Sequence, residues 1–312
     1  MKETFVWNGQ TPWDGVGKPI SNNMTTDEML KAADLDWKVL RQTPHFYFRG
    51  QKRPALRDVL YRDTDGQVLT EVPPGWHELQ NHDAFEFTQE WVDAGKMKLL
   101  SAGSLKGGKL VWVLAEVGEE FTIFTHDTHR NNLLFTIPHE YGKSIDIRQT
   151  PLRISCNNMI ALALSRRGHL TIRWDHRRQF DASTVKATMG LANLQFLEFR
   201  DMALHLGEKK YTDESLNEFL MQLYPKTRVD ENSPNYRFLS QPATVVKYHL
   251  ERQPGFEHQP GTWWSVFNAV TFSISHVLGR ERETAIYSAW YGKQRNKAIE
   301  SMNLALEFAD KS

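Results

Sequence analysis

Between Arg148 and Lys186 the chain holds Arg148, Arg153, Arg166, Arg167, Arg173, Arg177, Arg178 and Lys186 against only two acids, Asp175 and Asp181. Over the whole chain 38 basic residues cancel 38 acidic ones, so this footprint does not register in the net charge. A local excess of guanidinium groups is suited to polyanions, because each planar fork can bond two phosphate oxygens at once. Arg166-Arg167 closes a predicted helix, where the helix dipole favours cations without any ligand. That explanation does not extend to Arg173, Arg177 and Arg178. Trp174 is next to Arg173 on a predicted strand and points to the opposite face, where it could stack on an unpaired base or enter the core. The predicted nucleic-acid contacts are therefore Arg153, Arg166, Arg167, Arg173, Trp174, Arg177 and Arg178.

Other reactive side chains give weaker patterns. His126 and His129 flank Asp127-Thr128, with His139-Glu140 further on. Two histidines at that spacing can share a metal, but a site normally has a third ligand and a preformed geometry, and polar turns in a meander are the better reading. No metal site is assigned. Cys156, the single cysteine, would be activated at a helix N-terminus beside Arg153, with His169 or His176 as the base. A lone cysteine entering an apolar helix is more often simply buried. Gly103-Ser-Leu-Lys-Gly-Gly108 lacks the spacing of a phosphate-binding P-loop. No catalytic residue and no cofactor is assigned, so the sequence points to a binding protein before an enzyme.

The elements that must position these residues follow from pattern. Residues 1–24 have no periodicity and read as an irregular lead-in. Thr25-Thr-Asp-Glu28 is a capping box opening a helix through Met29, Leu30, Ala33 and Trp37. Strands are expected between Phe46 and Leu69, with a turn at Asp63-Thr-Asp-Gly66, and Asn81 is expected to cap a helix ending at Gly95. Lys98–Leu105 and Lys109–Val117 flank Gly107-Gly108, a hairpin signal. Phe121–Thr125, Leu133–Ile137 and Ser144–Arg148 are expected to continue that meander, followed by a helix over Asn157–Leu164 and a strand over Leu170–Trp174.

From Ala182 the pattern turns helical. Val185, Met189, Ala192, Phe196, Phe199 and Ala203 share a face, and Thr212 caps a helix burying Leu216, Phe219, Leu220 and Leu223. Residues 226–260, with four prolines, are expected to be loop-rich. Helices over Trp263–Leu278 and Arg280–Phe308 close the chain. The fold class is α+β: an antiparallel β-meander packed with helices (25–181), then a mainly helical region (182–312). Apolar content of 40% and aromatic content of 12% suffice for a packed core. With no long apolar run, no signal peptide and one cysteine, the expectation is a cytoplasmic protein with no membrane partner.

Several segments taken in order carry a resemblance. They are Leu35-Asp-Trp37, Gly75-Trp-His-Glu-Leu-Gln-Asn81, Ala84-Phe85-Glu-Phe87, Ala102-Gly-Ser-Leu105, Gly108-Lys-Leu-Val-Trp112 and Arg153-Ile-Ser-Cys-Asn-Asn158. Thr262-Trp-Trp-Ser-Val-Phe-Asn-Ala-Val-Thr271 and Trp290-Tyr-Gly292 complete the set. Together they resemble the phage/plasmid-like proteins grouped as domain of unknown function 932, over roughly residues 25–308. The resemblance implies a mobile-element protein and brings no catalytic site. The order helix, hairpin meander, helix is also similar to the core of Rad52-like annealing proteins, which form rings around single-stranded DNA. The function expected is therefore single-stranded-DNA binding with strand annealing in recombination, by a homo-oligomer. The alternative is a host-interaction protein that counters a defence system through exposed tryptophans, without nucleic acid.

Overall fold

The computed structural model describes residues 5–8, 17–21, 24–118, 120–124, 127–150, 152–153, 158–159, 171–174, 176, 197–226, 238–278, 287–288 and 290–312. The chain divides into two compact units. The first comprises residues 1–118, 132–149 and 170–192; the second comprises 119–131, 150–169 and 193–312.

The first unit is built on a seven-stranded sheet. Its N-terminal strands are β1 (Phe5–Trp7) and β2 (Lys18–Pro19), and α1 (Thr26–Ala32) follows. Thr25 and Glu28 close the expected capping box on α1. A three-stranded sheet of β3 (Val39–Gln42), β6 (Asp58–Arg62) and β7 (Val68–Val72) comes next, and between β3 and β6 the chain makes a ribbon of β4 (His45–Phe48) and β5 (Gln51–Pro54). After α2 (Asn81–Asp93) come β8 (Met97–Leu105) and β9 (Leu110–Val117), joined by the expected hairpin. Gly108 in that turn has φ +90°, and a Cβ there would meet Trp37 at 3.3 Å and Arg62 at 3.4 Å, so the turn needs glycine.

β9 is apolar at nearly every position because its neighbours cover it. Val111, Val113 and Ala115 face a core shared with Met29 and Leu30 of α1 and Ala84 and Phe85 of α2. The fold class is as expected, α+β with antiparallel-rich sheets followed by helices, but the meander is not continuous. β9 pairs directly with β12 (Asn132–Pro138), then β13 (Ile145–Gln149) and the edge strand β16 (Thr171–Trp174). The intervening residues leave the sheet to form β10 (Phe121–Ile123) and β11 (Asp127–Arg130) in the second unit, where Ile123 is buried among helices.

There, β10 and β11 continue into β14 (Leu152–Arg153) and β15 (Asn158–Met159). The helix expected from Asn157 is thus corrected at Asn158 and Met159, which pair with Arg153 and Leu152 as strand. A short apolar run does not distinguish the two structures by period. Helices follow: α3 over 197–208, α4 (Asp213–Leu223), α5 (Gln241–His249), α6 (Trp263–Phe272) and α7 (Lys293–Ala309). Phe199, Ala203, Leu216, Phe219, Leu220 and Leu223 are buried as their spacing predicts. Val185, Met189, Ala192 and Phe196 lie outside the described residues. Two expectations need correction. α5 occupies the stretch read as loop, since Pro242 falls in its first turn, where a missing N–H costs nothing. Gly292 adopts an extended backbone and starts α7, interrupting the single helix expected from Arg280.

Candidate functional site

Of the residues singled out by charge, Arg173 and Trp174 lie on β16, opposite Asp146 and Ile145 of β13, in the first unit. Arg153 lies on β14, opposite Asn158 and His129, in the second. Arg166, Arg167, Arg177 and Arg178 lie outside the described residues, as do Cys156, His126 and His169. Arg148, which opens the basic stretch, is buried. Its Nε donates to Asp146 Oδ1 at 2.8 Å and its Nη2 to Asp146 Oδ2. The two residues stand two apart on one strand and so share a face. Both side chains are only 4% exposed, so this guanidinium is neutralised inside the protein.

Two buried histidine clusters follow the same logic. Asn81 does not cap α2; Gln80 stands at the cap position and its side chain clamps the Val39 backbone. The Asn81 side chain turns inward and donates to the Leu35 carbonyl at 2.9 Å. Its Oδ1 is then the acceptor for His139 Nε2–H at 2.8 Å, which leaves Nδ1 as the unprotonated nitrogen. Burial, and secondarily the neighbouring His176, lower the His139 pKa to about 3. This imidazole is neutral at ordinary pH and packs edge-on against Trp37 at 5.3 Å. His176 stacks on Trp76 at 4.1 Å and donates through Nδ1 to the His77 carbonyl.

In the second unit, Trp264 Nε1 donates to Asp127 Oδ2 at 2.9 Å, and His129 Nε2 lies 3.3 Å from Asp127 Oδ1. Alternation on β11 puts Asp127 and His129 on one face, and the His129 ring packs against Phe199 and Trp264. These polar groups bond one another within an apolar interior, so their described contacts are structural. Among the described residues no group of three or more His, Cys, Asp or Glu is placed to hold a metal ion.

The surface that stands out is the β4–β5 ribbon, which the sequence pattern marks only as strand. It is the distal extension of the β3–β6 pair and is exposed at all eight strand positions. From Thr43 to Arg57 the chain carries Arg49, Lys52, Arg53 and Arg57 and no acid. Among the described residues none of these four cations forms an ion pair. Phe46, Tyr47 and Phe48 are 52%, 73% and 48% exposed. At the base, the Ala55 amide donates to the Pro44 carbonyl at 2.8 Å. Thr43 and Arg41 both bond Asp58, holding its carboxyl below the usual range and using its charge locally. The signal was present in the sequence as an acid-free segment in which four ring-bearing residues, His45 to Phe48, are followed by Arg49, Lys52, Arg53 and Arg57, but its exposure was not.

A family profile described as Domain of unknown function (DUF932) matches residues 68–299. The chain belongs to that family. The matched span includes the arginine stretch, both histidine clusters and α3–α6, whereas the β4–β5 ribbon precedes it. No curated protein and no solved structure matches the chain. No helix of the described residues is long and apolar enough to cross a membrane.

Proposed function

We propose that the protein is a phage- or plasmid-encoded nucleic-acid-binding protein that holds single-stranded DNA and anneals complementary strands as a homo-oligomer. The observation that carries this reading is the acid-free, ion-pair-free run of cations on the exposed ribbon between Thr43 and Arg57. Cations with no carboxylate nearby attract a polyanion, and release of condensed counterions then drives binding. Arg153, Arg166, Arg167, Arg173, Arg177 and Arg178 are assigned as further phosphate contacts, with Trp174 as a stacking platform. The resemblance to mobile-element proteins supports the annealing role. Annealing itself takes its free energy from base pairing and needs no cofactor.

The alternative, a host-protein contact through tryptophans, has less to draw on. Trp37, Trp76, Trp112, Trp263, Trp264 and Trp290 are all buried. The test is the affinity for a labelled single-stranded oligonucleotide across a salt series. Log affinity should fall linearly with log salt, and Arg173→Ala with Arg177→Ala should weaken binding while reducing the slope. Absence of binding at low salt defeats the reading. Light scattering with and without DNA tests the oligomer.

A further inference from the structure

We infer that the β4–β5 ribbon grips unpaired bases, with its rings stacking on base faces and its cations taking the adjoining phosphates. The inference rests on nucleic acid being the ligand and adds the element and the mode by which it is recognised.

The register fixes the two faces of the ribbon. Phe46 pairs with Arg53 and Phe48 with Gln51, so these four share one face. His45 pairs with Pro54 and Tyr47 with Lys52, which form the other. Each face therefore carries at least one aromatic ring and one cation. Neither face is covered by protein, since every strand position is exposed. A two-stranded ribbon gains little stability alone in water, and three exposed rings contribute almost nothing to the core. Their burial awaits a partner.

The cations define that partner. The guanidinium carbons of Arg49 and Arg53 both lie 5.3 Å from the centre of the Phe48 ring, near enough for cation–π attraction. A group stacking on Phe48 thus arrives beside two guanidiniums, and one on Phe46 beside its cross-strand partner Arg53, in a segment without a carboxylate. A planar base joined to a phosphate matches both requirements. The stacked interior of a duplex does not present its base faces, so a single strand is the form that fits.

The turn supports the same placement. Arg49 and Gly50 form a two-residue loop with φ of +51° and +76°, the pattern of a type I′ turn. Asparagine or glycine is the comfortable residue at the first position. Arginine there takes a left-handed conformation at some cost and sets a guanidinium at the tip, beside Phe48.

The decisive comparison uses the full chain, a labelled oligothymidylate, the same backbone lacking bases, and a matched duplex, with binding read by anisotropy. Wild type should bind the single strand at least about tenfold more tightly than the abasic strand, as expected for one stacked base or more. Phe46→Ala with Tyr47→Ala should remove most of that difference while leaving the residual abasic affinity in place. Arg49→Ala with Arg53→Ala should lower the salt slope by about 1.4, since each lost phosphate contact on a single strand removes about 0.7. Circular dichroism of each variant should match wild type because no core residue changes. Equal binding of abasic and intact strands, or wild-type affinity in the double aromatic variant, overturns the ribbon inference while DNA binding stands. Failure of wild type to bind any strand, with or without capture of anionic vesicles, overturns both readings.

Discussion

Arg148 and Arg53 both sit on strands of the first unit, yet they do opposite things with the same group. Arg148 is enclosed and bonded twice by Asp146, a neighbour on its own strand. Arg53 stands in solvent with a phenyl ring beside it, and its nearest polar contact is Gln51 at 3.5 Å. The first contributes nothing to a surface potential, and the second contributes fully. Counting arginines along a sequence gives the first equal weight. The comparison shows that the charge available to a ligand is set by the partner each cation already has.

The largest effect should come from breaking the buried pair. Arg148→Ala leaves the Asp146 carboxylate in the interior without its cation and should cost about 3–5 kcal/mol in a urea titration. Restoring a neutral interior with Arg148→Met plus Asp146→Leu should recover most of that loss. A second interior test uses pH. The folded chain holds His139 neutral to about pH 3, whereas the unfolded chain protonates it near 6.5. Protons therefore bind the unfolded state first. The stability present above pH 6.5 is lost as pH falls through that window, with a slope of about 1.4 kcal/mol per pH unit. His139→Gln should flatten that part of the profile; an unchanged slope would assign the acid sensitivity to other groups. The smallest stability effect belongs to the ribbon. Arg53→Ala and Tyr47→Ala should each shift unfolding by no more than about 0.5 kcal/mol, because neither side chain is buried. A larger shift would show that the ribbon is structural and would weaken its assignment to binding.

Much of the fold was legible because its signals are local. Thr25–Glu28 and Thr212 cap helices, Gly107-Gly108 turns a hairpin, and α4 buries the four residues its spacing selects. What failed to show was non-local. Nothing in Phe121–Ile123 announces that it pairs outside the meander, since its partner His129 and its neighbours in the second core are set by tertiary contacts. Asn81 looks like a cap because asparagine usually is one, but its amide is needed by Leu35 and His139. At the candidate site, the polar–apolar alternation of Ile145–Gln149 is equally compatible with an outward or an inward Arg148. His45–Phe48 has the opposite problem: four ring-bearing residues in a row suggest a buried strand, while the structure leaves both faces bare.

The bracing at the base of the ribbon has a bearing on proteolysis. Pro44 and Ala55 close the neck, and Thr43, Arg41 and Asp58 tie it to the sheet below. The peptide bonds after Arg49 and Lys52 lie beyond that brace, in reach of a trypsin-like protease, whereas the bond after Arg53 precedes Pro54 and resists it. A nick among them cuts no strand of the main sheet and frees no core side chain, so a clipped chain should stay folded. Digestion then becomes a footprinting assay in which any ligand seated on the tip declares itself as protection of those bonds.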